Sequence, residues 1–195
     1  MLRTIALSTI LFGALFTPAF AHIGLHDQGG LAHGFMHPIG GLDHVMAMVA
    51  VGMLAAHLGG RALWLVPAAF VGMMIVGGVL GFMGAPLPFV EQGIGLSVVV
   101  LGVLVALGVG MPTILAMTVV GLFAVFHGHA HGTELPAGSA PAAFAAGFIA
   151  ATALLHAAGI GLGIAIQRIA VRSRVWTTRI IGAVMALTGV SLFVQ

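Results

Sequence analysis

The sequence predicts an all-α polytopic membrane protein, a six-helix transmembrane bundle preceded by a cleavable signal peptide. Three observations predict it. The chain of 195 residues is 61% hydrophobic and 5% charged, with a mean hydropathy of +1.22, more apolar surface than a soluble domain of that size can hide. After the first residues the apolar positions fall into six runs of roughly 20, the length that crosses a hydrocarbon core. The arginines beyond the leader gather in or just beside two of the connections, the asymmetry that orients spans. Composition also excludes classes of function. The pI of 11.3 reflects six arginines against four acids with no lysine, and these form no basic domain, so no nucleic-acid partner is expected. The absence of cysteine removes disulfides, thiolate metal sites and thiol redox chemistry together. Ten histidines beside four carboxylates are the anomaly that needs a reason.

Residues 1–21 read as a signal peptide: Arg3 supplies the positive start, an apolar run follows, and Ala19-Phe20-Ala21 offers a small-x-small cleavage site. Cleavage would leave His22 first and the N-terminus outside the inner membrane of a bacterium. Residues 22–37, with His22, His26, Asp27 and His33, are polar and glycine-rich, and read as an exposed periplasmic lead-in. The membrane domain, 38–195, holds spans at about 38–58, 62–83, 88–108, 112–131, 141–166 and 177–194. Pro88, Pro112 and Pro141 stand at or near helix starts, where a missing N–H costs nothing. The connections are short, which predicts antiparallel packing of consecutive helices. An outside N-terminus puts Arg61, Arg168, Arg172, Arg174 and Arg179 at the cytoplasmic side, in agreement with the positive-inside rule, and both termini in the periplasm. The acids Asp27, Asp43, Glu91 and Glu134 then lie at or near the outer side, which favours a cation entering there. Recurrent glycines such as Gly72, Gly77, Gly78 and Gly81 predict close helix packing, and the scattered methionines predict packing filler.

Two constellations carry the candidate chemistry. In His37-Pro38-Ile39-Gly40-Gly41-Leu42-Asp43-His44, the histidines are seven apart, about two turns, and share a face if the helix has begun by His37. Pro38, Gly40 and Gly41 favour instead a loose entry turn that gathers the three side chains without helical geometry. A helix-entry cap with Asp43 on backbone N–H groups is the alternative. Imidazole and carboxylate together suit Ni²⁺, Co²⁺, Zn²⁺ and similar borderline cations, and such groups are costly at the mouth of an apolar run. In Phe126-His127-Gly128-His129-Ala130-His131-Gly132-Thr133-Glu134, His127 and His131 are at i and i+4 and stack on one face, Glu134 follows three residues later, and His129 points elsewhere. Glu91, one turn into the third span, either completes the metal set or complements the helix dipole. His156 lies mid-span as a ligand, a relay or an interior residue, and His57 reads as interfacial. A free α-amine at His22, with His26 and His33, offers a further chelate. The candidate metal set is therefore His37, Asp43, His44, Glu91, His127, His131 and Glu134, with His22, His26, His33, His129 and His156 as accessory candidates.

The first constellation resembles the HPxxGxDH signature of the HupE/UreJ family of nickel and cobalt permeases, and the second resembles that family's FHGxAHGxE. Order, spacing, leader and span number are similar across essentially the whole chain. The resemblance implies uptake of Ni²⁺ or Co²⁺ across the bacterial inner membrane, feeding hydrogenase, urease or cobalamin synthesis. It also supports His37, Asp43, His44, His127, His131 and Glu134 as functional positions. No Walker-type glycine loop is present, so a secondary permease or facilitated channel is expected, with the metal ion as cargo and no permanently bound cofactor. The lipid bilayer, a second copy of the chain or a metallochaperone are the other partners open to such a protein. A membrane-embedded metalloenzyme and a b-type cytochrome are the alternatives; HExxH is absent, and most of the histidines cluster at one edge rather than facing one another across a haem.

Overall fold

The computed structural model describes residues 30–135 and 140–193; the expected signal peptide, His22, His26 and Asp27 lie outside the described residues. Within that range the chain is wholly helical: α1 (Leu31–Gly40), α2 (Leu42–Leu58), α3 (Ala62–Phe82), α4 (Val90–Leu107), α5 (Thr113–Thr133), α6 (Pro141–Gln167) and α7 (Val171–Ser191). Four of these, α3 to α6, are long and apolar enough to cross a membrane, and α1 with α2 passes the same test as one span bent by 84°. The distribution of side chains is that of a bundle in lipid. Trp64, Val79, Leu122, Leu154 and Leu187 stand exposed around the outside, while His44, His127, His129 and His156 are buried within.

Three expectations are corrected. The first helix does not wait for residue 38: α1 begins at Leu31, because its Gly34 lets its backbone press onto that of Phe144 in α6, and such packing stabilises a helix too short to persist alone. The last helix begins at Val171, not 177, so the expected arginine-bearing connection shrinks to 168–170 and Arg172, Arg174 and Arg179 lie inside α7. Arginine is a good helix former, so those charges do not delay the helix, but they keep α7 out of the four helices that qualify as spans.

Consecutive helices are also not the closest partners. The tight pairs are α3 with α5, α4 with α7 and α2 with α6. Short loops fix the direction of neighbours, whereas glycine decides which backbones meet. Gly77 sits against Val125 and Gly81 against His129, so α3 and α5 run parallel; Gly95 sits against Gly189 and Gly102 against Gly182, so α4 and α7 run antiparallel. Gly72, by contrast, has open space at its Cβ position, so the expected packing role holds at Gly77 and Gly81 but not there.

Candidate metal centre

The glycines of both signatures place their histidines. Gly128 and Gly132 press α5 onto the backbone of α3 at Met74 and Gly78. The residues just before them, His127 and His131, consequently turn to the interior. A Cβ at Gly41 would sit 2.8 Å from the Asp43 carboxylate and 3.3 Å from His44 Nδ1. Glycine there lets the chain bend sharply over the two side chains that follow. The bend separates His37 on α1 from His44 on α2, so the two share no helix face, yet both reach the same partner: the His131 ring centre is 4.7 Å from that of His37 and 4.3 Å from that of His44.

The result is a file of imidazoles running inward. Side-chain exposure falls from 26% at His37 to 11% at His131, 5% at His44 and 0% at His127. Phe144 and Phe148, one turn apart on α6, wall it, with the Phe148 ring centre 4.5 Å from that of His131 and the Phe144 ring centre 5.7 Å from that of His37. At the outer end His37 Nε2 and His131 Nδ1 each lie 3.4 Å from Glu134 Oε2, and these three residues form a group able to hold a metal ion. Glu134 follows α5 at its outer end. First His131 and then His37 hold its carboxyl well below the usual carboxylate range, so it stays ionised at neutral pH.

At the inner end the hydrogen bonds fix which ring nitrogens are bare. Ser97 of α4 has one hydroxyl proton, and its 2.6 Å contact gives that proton to the carbonyl of Ile94. Toward His127 Nε2, 2.8 Å away, Ser97 Oγ therefore accepts, and the proton sits on Nε2. The other nitrogen, Nδ1, is left bare and points at His44 Nε2, 3.1 Å away. His44 in turn donates Nδ1–H to Asp43 Oδ2 at 3.1 Å, which leaves its own Nε2 bare. His131 Nε2 closes on the same His44 nitrogen, and Glu134 beside Nδ1 favours a proton on that side. Three imidazole lone pairs thus converge on one point, with a carboxylate hydrogen-bonded behind His44, a hydroxyl behind His127 and the Glu134 carboxylate 3.4 Å from His131 Nδ1, the arrangement by which proteins prepare histidines for a divalent cation.

A family model described as HupE / UreJ protein matches residues 4–192. The chain belongs to the HupE/UreJ family. Protein HupE of Rhizobium leguminosarum bv. viciae is 51% identical over 187 residues, 96% of either chain. No solved structure matches the chain.

Of the residues singled out in this HupE/UreJ chain, the structure brings together His37, Asp43, His44, His127, His131 and Glu134. Glu91 is exposed in the first turn of α4, about 9 Å of helix rise outward of Ser97. His33 is exposed, its ring centre 6.0 Å from that of His37. His129, the accessory candidate that points elsewhere on α5, is buried and uses Nε2 on the carbonyl of Ala85, 2.7 Å away, pinning the connection after α3. Residues the sequence did not single out are Ser97, Phe144 and Phe148. Ser97 was detectable in principle as the one hydroxyl in an apolar helix; the phenylalanines carry no such mark.

Proposed function

We propose that this chain carries Ni²⁺ or Co²⁺ inward across the bacterial inner membrane as a secondary permease or facilitated channel, supplying hydrogenase, urease or cobalamin synthesis. The single observation that carries the reading is the convergence of bare nitrogens of His44, His127 and His131, with Asp43 and Ser97 fixing the tautomers behind them. Two such lone pairs at close range repel unless a cation lies between them, and imidazole is a preferred donor for both metals. The carboxylate of Glu134 with His37 makes the outer landing, where a hydrated ion exchanges its first waters, and Glu91 at the rim adds negative charge that raises the local concentration of cations.

In this reading residues 1–21 are a cleaved leader, α7 joins the bent α1–α2 pair and α3 to α6 as the sixth crossing, and both termini face the periplasm. The arginines at the start of α7 and at Arg61 then lie at the cytoplasmic end. The test is uptake of radioactive Ni²⁺ and Co²⁺ into cells expressing the chain or its Asp43→Ala variant. Loss of the carboxylate that orients His44 lowers affinity by about 10- to 100-fold. Uptake by the variant equal to the parent at limiting metal would overturn the reading.

A further inference from the structure

The file of imidazoles does not end at His127. Phe70 of α3, fully buried, touches two histidines: its ring centre is 5.7 Å from that of His127 and 5.2 Å from that of His156. His156 is 2% exposed, and neither of its ring nitrogens meets a hydrogen-bond partner among the described residues. A buried imidazole without partners is costly, and interior polar groups are normally satisfied. One turn before His156 on the same face of α6, the buried Thr152 hydroxyl points at Met74 Sδ, 3.9 Å away, so a hydroxyl oxygen and a thioether belong to the same buried interior. Inward of His156 by about 10–15 Å of helix rise lie Gly163 and Ile166, which line a cavity of about 490 Å³ together with Met53, His57 and Gln167.

We propose that His156 is an interior landing site for the transported divalent cation, reached from His127 past the Phe70 ring and discharging toward the cavity at the inner end. This rests on the transport reading above. The outer cluster offers an ion several nitrogens and two carboxylates. A carrier that stopped there would hold its cargo, since conduction needs a next site that competes without trapping. A lone imidazole with both nitrogens uncommitted among the described residues is such a site: it takes one coordination position of an ion that keeps most of its other ligands, and releases it readily.

The test uses the full-length chain, purified and also reconstituted in vesicles, with Ni²⁺ as the only metal. His156→Leu keeps the volume and removes the donor. The expected result is one equivalent fewer of Ni²⁺ bound at saturation than in the parent, unchanged affinity at the outer cluster, and a maximal uptake rate lower by roughly tenfold or more. Unchanged stoichiometry or an unchanged maximal rate overturns the proposal. If the leucine variant does not accumulate, His156→Gln, whose amide can satisfy hydrogen bonds but is a poorer ligand for Ni²⁺, is read by the same two measurements with the same outcomes. Asp43→Ala run in parallel separates the two readings. Full binding and uptake by that variant removes the transport site itself, whereas a crippled Asp43→Ala beside a fully active His156→Leu removes only the interior landing.

Discussion

The outer cluster and the His156 layer are built from the same side chain and differ in almost everything around it. At the outer end four imidazoles stand within contact of one another, and Asp43, Ser97 and Glu134 settle where their protons sit. Twelve residues inward of Phe144 on the same helix α6, a single imidazole stands against Phe70 without a partner for either nitrogen among the described residues. Orienting partners raise the basicity and the readiness of a ligand; their lack leaves a ligand weak. Under the proposed transport reading, the contrast puts capture at the outer end and hand-over in the interior, and it divides the expected effects of mutation into losses of affinity and losses of rate.

The largest effect belongs to His44, the ring on which His127 and His131 both converge. His44→Ala is expected to lower Ni²⁺ affinity and uptake by more than about 100-fold, beyond the usual cost of removing an outer partner. Equilibrium binding to the purified chain and initial uptake rates check it, and a variant that kept its affinity but lost its rate would erase the distinction between the two regions. A smaller loss follows at Ser97. Without its hydroxyl, His127 is free to move its proton to Nδ1 and turn a donor toward His44. Ser97→Ala is therefore expected to weaken Ni²⁺ binding about tenfold, and Ser97→Thr, which keeps the hydroxyl, to retain most of it. Equal losses in both variants would mean that Ser97 fills space rather than sets a tautomer.

The two regions were unequally visible in the sequence. His127, His131 and Glu134 were legible because helical spacing alone stacks them, and the three residues of the first signature were legible because charge and imidazole are costly beside an apolar run. What the sequence did not show is how the two groups meet. That depends on an 84° bend at Gly41 and on α3 packing with α5 rather than with α4, both set by where glycines let backbones touch across long separations. The same cause hid α1, since Gly34 acquires its meaning only opposite Phe144. His156 was visible as a residue, but its isolation was not, because the absence of a partner is a property of the assembled interior.

The smallest effect tests where the outer region stops. His129 lies between His127 and His131 and belongs to the same signature, yet α5 turns its side chain away from theirs. Gly81 of α3 presses on the His129 backbone, and its Nε2 bonds the Ala85 carbonyl in the connection just beyond α3. His129→Leu removes that bond and leaves the carbonyl unpaired, a loss of about 1–3 kcal/mol in stability, read as a lower unfolding temperature of the purified chain. Ni²⁺ affinity and maximal uptake should both stay within about twofold of the parent, the range of a change that touches neither ligand nor path. A His129→Leu chain that folded normally but bound Ni²⁺ tenfold more weakly would extend the cluster around the helix. The division between capture and anchoring on α5 would then have to be redrawn, with His129 counted among the donors rather than as the clasp that holds the α3–α4 connection.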